Sequence, residues 1–265
     1  MKYIEYGADH GETILLLHGG GLSWWNYREA AELLQTEYHI ILPILDGHAG
    51  SDRPFTTIEE NASGIIAFID EHFGGSVLLL GGLSLGGQVL LEMLSQRKDI
   101  CSCALVESAA VIPSRGMNAL IAPAIADSYG LIRHEGFARM QFRSLHLKPE
   151  LFDDYYRDTC RIAKQDMIAF MKANTSYALK DSFRSVSAEV HVCVGDRETG
   201  RIRRSAEVIC QKLPSAKLYR IAGLRHGEFS LCHAEAYAAA VRKIIRGGQI
   251  SGRREGESRI PQSSL

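Results

Sequence analysis

Two short runs, Ile14-Leu15-Leu16-Leu17 and Val77-Leu78-Leu79-Leu80, are apolar at every successive position. Side chains of a strand alternate between the two faces of its sheet, so a strand without a polar face has to be covered on both sides. Strands of that kind belong to a largely parallel sheet held between helical layers. β-rich runs recur at 2–6, 13–17, 38–43, 76–80, 100–106, 189–194 and 217–221. Patterns of helical period follow most of them, at 27–34, 57–73, 88–97, 201–213 and 235–245. The expectation is an α/β fold: a doubly wound, mostly parallel sheet of about seven strands.

The alternation stops between 113 and 187, where the chain reads as helical pieces without a strand. This segment is expected to be a helical cap inserted into a core formed by 1–112 and 188–246. Its apolar positions (Met117, Leu120, Ile121, Ile125, Phe137, Met140, Phe142, Met167, Phe170, Met171) fall at loose helical spacing. Most should pack on the core, and a few should line a pocket beneath the cap. From 247 to 265 the chain turns polar and rich in Gly, Ser and Arg, as a disordered tail would.

With 265 residues and 46% hydrophobic content the chain can bury one large core. Its 30 basic and 31 acidic side chains are interspersed and leave a formal charge of −1, which offers no field to attract nucleic acid or an anionic membrane. No window approaches the roughly 18 apolar residues of a membrane span. The first residues lack the basic-then-apolar pattern of an export signal, so a soluble, cytoplasmic protein is expected. Six scattered cysteines without C-x-x-C spacing should be reduced, with Cys101, Cys103 and Cys193 packed in strands. No metal or cofactor is expected, and the expected partner is a small-molecule acyl substrate.

Chemistry concentrates at Gly82-Leu83-Ser84-Leu85-Gly86, a Gly-x-Ser-x-Gly segment lying between an apolar strand run and a helical pattern. At such an elbow both glycines let strand and helix approach closely, and the serine hydroxyl is lifted clear of the sheet. The following helix N-terminus points unpaired N–H groups toward a developing oxyanion. A serine needs a base. His226, in Gly223-Leu224-Arg225-His226-Gly227 after the last strand, is the candidate, with His233 as runner-up. The base needs an orienting carboxylate, and Gly195-Asp196-Arg197-Glu198 supplies two. Glu198 lies farther past the strand end and is preferred as the catalytic acid. Asp196 is the alternative, and Glu107, at the end of another strand, is a third candidate.

Oxyanion donors have to be backbone N–H groups set in place beforehand. His18-Gly19-Gly20-Gly21 follows a core strand, and the amides of Gly20 and Leu85 are the expected oxyanion hole, with His18 bracing the loop. One of Trp24 and Trp25 is expected to wall the acyl pocket while the other packs in the core.

Together these segments resemble the α/β-hydrolase superfamily, in its capped branch of esterase-like and lipase-like serine hydrolases. The resemblance covers roughly 1–245. It rests on the His-Gly-x-Gly loop, the turn Asp46-Gly47-His48-Ala49-Gly50-Ser51-Asp52, the elbow at Ser84, the acid loop and the histidine loop. It implies the order Ser84, Glu198, His226, an acyl-enzyme intermediate, and a mostly structural role for His48. Two departures stand out: a glutamate where an aspartate is commoner, and a first clear strand so near Met1 that the family's usual edge strand is missing. Serine at the elbow disfavours dehalogenase and epoxide hydrolase chemistry, which use aspartate there. A small, fairly apolar carboxylic ester is the expected substrate. Thioesterase, amidase, carbon–carbon hydrolase and perhydrolase chemistry remain open on the same residues, as does a non-catalytic ligand-binding protein on this scaffold.

Overall fold

The structure is a computed structural model that describes residues 1–250. Seven strands form one sheet: β1 (Tyr3–Tyr6), β2 (Thr13–Leu17), β3 (His39–Pro43), β4 (Val77–Leu83), β5 (Cys101–Glu107), β6 (Glu189–Gly195) and β7 (Lys217–Ile221). They lie in the order β1-β3-β2-β4-β5-β6-β7. All neighbours are parallel except β1, which runs antiparallel to β3 at the edge. The expected doubly wound sheet is therefore present.

The unbroken apolar runs are explained by their cover. Leu15 and Leu17 of β2 enter the core on one side of the sheet, and Ile14 and Leu16 enter the core on the other. Helices α1 (Arg28–Leu34) and α10 (Ala234–Ile245) contribute to the second layer, and α2 (Ile58–Phe73), α3 (Leu85–Gln96) and α8 (Gly200–Lys212) to the first. Thr57 caps α2 by accepting from the Glu60 N–H at 3.0 Å, and Gly74 ends it in the left-handed conformation.

Strand β4 runs on through Gly81 and Gly82, past the apolar stretch visible in the sequence. Glycine is required at Gly82, where a Cβ would lie 2.5 Å from the Gly86 carbonyl oxygen, while at Gly81 a Cβ would press on the Leu16 side chain. Between β5 and β6 the chain is helical, with α4 (Arg115–Ser128), α5 (Glu135–Ser144), α6 (Phe152–Thr159) and α7 (Lys164–Ser176). Gln88 ties this segment to α3, donating to the Asn174 carbonyl at 2.9 Å and accepting from the Asn174 amide at 3.0 Å. A short helix α9 (Glu228–Cys232) precedes α10. Beyond α10, Ile250 is buried against the second core layer, whereas the remainder of the expected tail, 251–265, lies outside the described residues. Among the described residues no helix is long and apolar enough to cross a membrane.

The chain winds outward from β2 to β3 and then returns to β4 on the other side of β2. The loops leaving the carboxyl ends of β2 and β4 diverge at this switch point, where open α/β sheets form their binding crevice. The glycine loop 18–21 and Ser84 leave from these two ends.

Candidate active site

Ser84 follows β4 directly and starts α3 with φ 52 and ψ −109, a region that side-chain-bearing residues rarely adopt. Its N–H is tied to the Glu107 carbonyl at 2.8 Å, and its own carbonyl accepts from Gln88 N–H at 3.0 Å. The flanking glycines leave no alternative. A Cβ on Gly86 would stand 2.1 Å from the Leu17 carbonyl oxygen, and one on Gly82 2.5 Å from the Gly86 carbonyl oxygen. Helix α3 therefore starts at Leu85, because Gly86 and Gly87 serve close packing and do not break the helix.

Ser84 Oγ lies 3.0 Å from His226 Nε2, and His226 Nδ1 lies 2.8 Å from Glu198 Oε2. A carboxylate can only accept, so Nδ1 carries the proton and Nε2 is left to accept from the serine hydroxyl. Glu198 is held from behind: its Oε1 accepts from Ser108 Oγ at 2.6 Å and from Gly195 N–H at 2.9 Å. Its side chain is fully buried, whereas that of His226 is about half exposed. Ser108 is itself held at φ 56, so two of the three non-glycine residues with positive φ among the described residues lie in this cluster.

The other sequence candidates lie elsewhere. Asp196 is exposed, and its Oδ1 accepts from Gly223 N–H at 2.8 Å, bracing the turn beyond β7. His233 stands at the junction of α9 and α10 and lines a surface groove with Ala236 and Lys243. Glu107 is buried, and its Oε1 accepts from Ser230 N–H at 3.3 Å. Burial pushes its carboxyl up to about 7.

The glycine loop is pinned on both sides of Gly20. The Gly19 N–H donates to Asn26 Oδ1 at 3.1 Å, and the Gly19 carbonyl accepts from His18 Nδ1 at 2.9 Å. The Gly21 N–H donates to His48 Nε2 at 3.0 Å. Burial lowers His18 to about 3 and His48 to about 4, which keeps both rings neutral and able to accept. A Cβ on Gly20 would lie 3.5 Å from Leu85 Cβ, so these two residues face each other beside Ser84. Leu85 is the first residue of α3, and its N–H falls ahead of the intrahelical ladder.

Two cavities meet at Ser84, Gly20, Leu22 and Leu145. One, of about 320 Å³, is lined further by Leu147, Arg197, Arg225 and His226. The other, of about 290 Å³, is lined by Ile132, Tyr155, Met167, Phe170 and Met171. Of the ten apolar positions marked in 113–187, Met167, Phe170 and Met171 thus border the site, while Met117, Leu120 and Met140 are exposed. Neither tryptophan lines these cavities. Trp25 is buried and donates to Asp158 Oδ2 at 2.8 Å, and the Trp24 ring is covered by the Arg28 guanidinium at 4.8 Å. Among the described residues no cluster of three or more His, Cys, Asp or Glu is placed to hold a metal ion.

Residues 14–242 match the sequence pattern of the Alpha/beta hydrolase family. The chain belongs to that family. A pimeloyl-[acyl-carrier protein] methyl ester esterase of Neisseria meningitidis is 26% identical over 257 residues, covering 91% of this chain and 95% of the relative. Lipase 1 of Psychrobacter immobilis is 32% identical over 113 residues, a match that spans 41% of this chain and only 35% of the lipase. Among solved structures, the enol-lactonase of Burkholderia xenovorans LB400 superposes with a TM-score of 0.79 at 15% identity, over 92% of this chain and 96% of the lactonase.

Proposed function

We propose that this α/β hydrolase is a serine hydrolase that cleaves a small, fairly apolar carboxylic ester through an acyl-enzyme. The observation that carries the reading is the continuous hydrogen-bonded path Ser84–His226–Glu198 beside the paired residues Gly20 and Leu85. In the first half-reaction His226 Nε2 takes the Ser84 proton as Oγ attacks the ester carbonyl. The carbonyl oxygen becomes an oxyanion facing the amides of Gly20 and Leu85, each donor being worth roughly 3–4 kcal/mol in the transition state. Collapse of the tetrahedral adduct breaks the bond to the alkoxy group, which leaves with the proton from His226. Water then enters, gives a proton to His226, and adds to the acyl carbonyl. A second collapse returns that proton to Ser84 and releases the carboxylic acid.

Glu198 keeps the imidazole in the competent tautomer and stabilises the imidazolium. The helical segment 113–187 acts as the cap, with Met167 and Phe170 walling the apolar cavity. Gln141, Thr159 and Asn174 add polar groups to a wall that is otherwise mostly apolar, which suits a fairly apolar acyl group, and the esterase and lipase relatives support the ester class. A panel of p-nitrophenyl esters of graded chain length, run beside a thioester and an anilide, tests it. Turnover of short to medium esters that vanishes in Ser84→Ala is expected. Faster turnover of the thioester or the anilide would reassign the substrate class.

A further inference from the structure

A second hydrogen-bonded chain runs behind the first and ends on the glycine loop. Glu107, the last residue of β5, is 2% exposed, with Oε1 accepting from the N–H of Ser230 in α9 and Oε2 lacking a partner. Ser230 Oγ accepts from Asn26 Nδ2 at 3.3 Å, and Asn26 Oδ1 accepts from Gly19 N–H at 3.1 Å. Gly19 precedes Gly20, and α9 begins two residues after His226, with Gly227 between them. A single buried carboxyl thereby connects the end of β5, the helix that seats the histidine, and the loop that presents the oxyanion donor.

An unpaired carboxyl in this position is costly, since an apolar side chain would fill the same space without a desolvation penalty. The groups facing it are weakly polar: Tyr27 ahead of α1, Cys193 on β6, Cys232 on α9 and Tyr237 on α10. Of the charged or titratable groups nearby, Glu198 and His226 are within electrostatic reach. None of these is an ion-pair partner that would explain Glu107 as a structural salt bridge.

We infer that Glu107 is a positioning residue for the reaction at Ser84, fixing the glycine loop through Ser230 and Asn26 and doing so more firmly as a carboxylate than as a neutral acid. A charged acceptor makes the shorter, stronger bond to the Ser230 N–H. Its negative charge also favours the imidazolium that forms on His226. Because burial places the Glu107 titration near neutrality, both forms are populated in the working range of such an enzyme. The inference rests on the serine-hydrolase reading above.

The test compares wild type, Glu107→Gln, Ser230→Ala and the double variant, with kcat and KM followed from pH 6 to 9 on one p-nitrophenyl ester. Loss of a whole oxyanion donor costs about 10²–10³ in kcat, and a loosened one should cost about tenfold. Glu107→Gln is expected to lose about tenfold in kcat at pH 8, with little change in KM, and to approach wild type at pH 6, where the wild-type carboxyl is neutral. Ser230→Ala should lose a similar factor, and the double variant should be no worse than either single one. A loss that is uniform with pH, or additive losses, would show that Glu107 only supports packing and would overturn the proposal. So would unchanged kcat in a folded Glu107→Gln. If Glu107→Gln does not fold, the ratio of Ser230→Ala to wild-type kcat decides: the deficit should shrink from pH 8 to pH 6, and a ratio that does not change with pH would overturn the proposal. Fluorophosphonate labelling of wild type at Ser84 keeps the two readings separate, because absence of that adduct refutes the serine mechanism itself and not the role of Glu107.

Discussion

Replacing Glu198 by Gln separates the two carboxylates of its loop, and the structure fixes how the amide must sit. Glu198 Oε1 accepts from two donors, Ser108 Oγ and the Gly195 N–H, and the Gly195 N–H cannot turn away. The amide oxygen of Gln therefore takes the Oε1 position and the NH2 group takes that of Oε2, facing His226 Nδ1. An N–H donor there forces Nδ1 to accept, which moves the imidazole proton to Nε2. That nitrogen then presents a hydrogen to Ser84 in place of a lone pair, and the serine proton has nowhere to go. A wrong tautomer of this kind costs about four orders of magnitude in kcat, or roughly 5.5 kcal/mol. The fold should lose only about 1 kcal/mol, because the Oε1 bonds survive as neutral ones. Asp196→Asn is the control: its Oδ1 bond to the Gly223 N–H can be kept by the amide oxygen, so kcat should change by less than about threefold. Steady-state kinetics on purified variants, with thermal melts to establish folding, would read both effects. A folded Glu198→Gln within tenfold of wild type, or a crippled Asp196→Asn, would refute the assignment.

The elbow and the oxyanion loop should respond oppositely to a single methyl group. Gly86→Ala drives a Cβ to 2.1 Å from the Leu17 carbonyl and should abolish soluble folded protein, whereas Gly20→Ala meets its neighbours at 3.5 Å or beyond and should fold normally while losing turnover. Circular dichroism and an esterase assay on both would expose any reversal. The buried rings of the loop predict acid sensitivity. Burial lowers His48 to about 4 in the folded protein from the ordinary imidazole value of 6.5 that it regains when unfolded, so the unfolded state binds more protons between those values, and stability falls as pH drops from 6.5 toward 4. At pH 5 the cost is about 2 kcal/mol relative to neutrality. His48→Gln, which keeps an acceptor for the Gly21 N–H, should flatten the decline in Tm between pH 7 and 5, and parallel declines would contradict it.

Strand positions were legible because burial on both faces leaves a compositional mark, and β2, β3, β5, β6 and β7 fall within two residues of where the sequence places them. The end of β4 and the start of α3 were not, because Gly81, Gly82, Gly86 and Gly87 read as breakers. Their actual role is to admit Leu16, the Leu17 carbonyl and one another at short range, which only the packed structure reveals. The motifs marked Ser84, His226 and Glu198, and the structure brings these three side chains together. Preference for Glu198 over Asp196 had to come from chain length past the strand end. The supporting residues, Ser108, Asn26 and Ser230, carry no signal: they are common polar types at unremarkable spacings, drawn from three distant segments. The aromatic wall was misplaced for a related reason. Trp24 and Trp25 follow the glycine loop in sequence, but Arg28 and Asp158 claim them, and the aromatic lining comes from Tyr155 of α6 and Phe170 of α7.

The central claim is that Ser84 is the group that becomes acylated, and intact-mass and peptide mass spectrometry after reaction with a fluorophosphonate test it most directly. One adduct per chain, mapped to the peptide containing Ser84 and absent from a folded Ser84→Ala, is the predicted result. An adduct on any other residue, or one that persists in Ser84→Ala, would contradict the account.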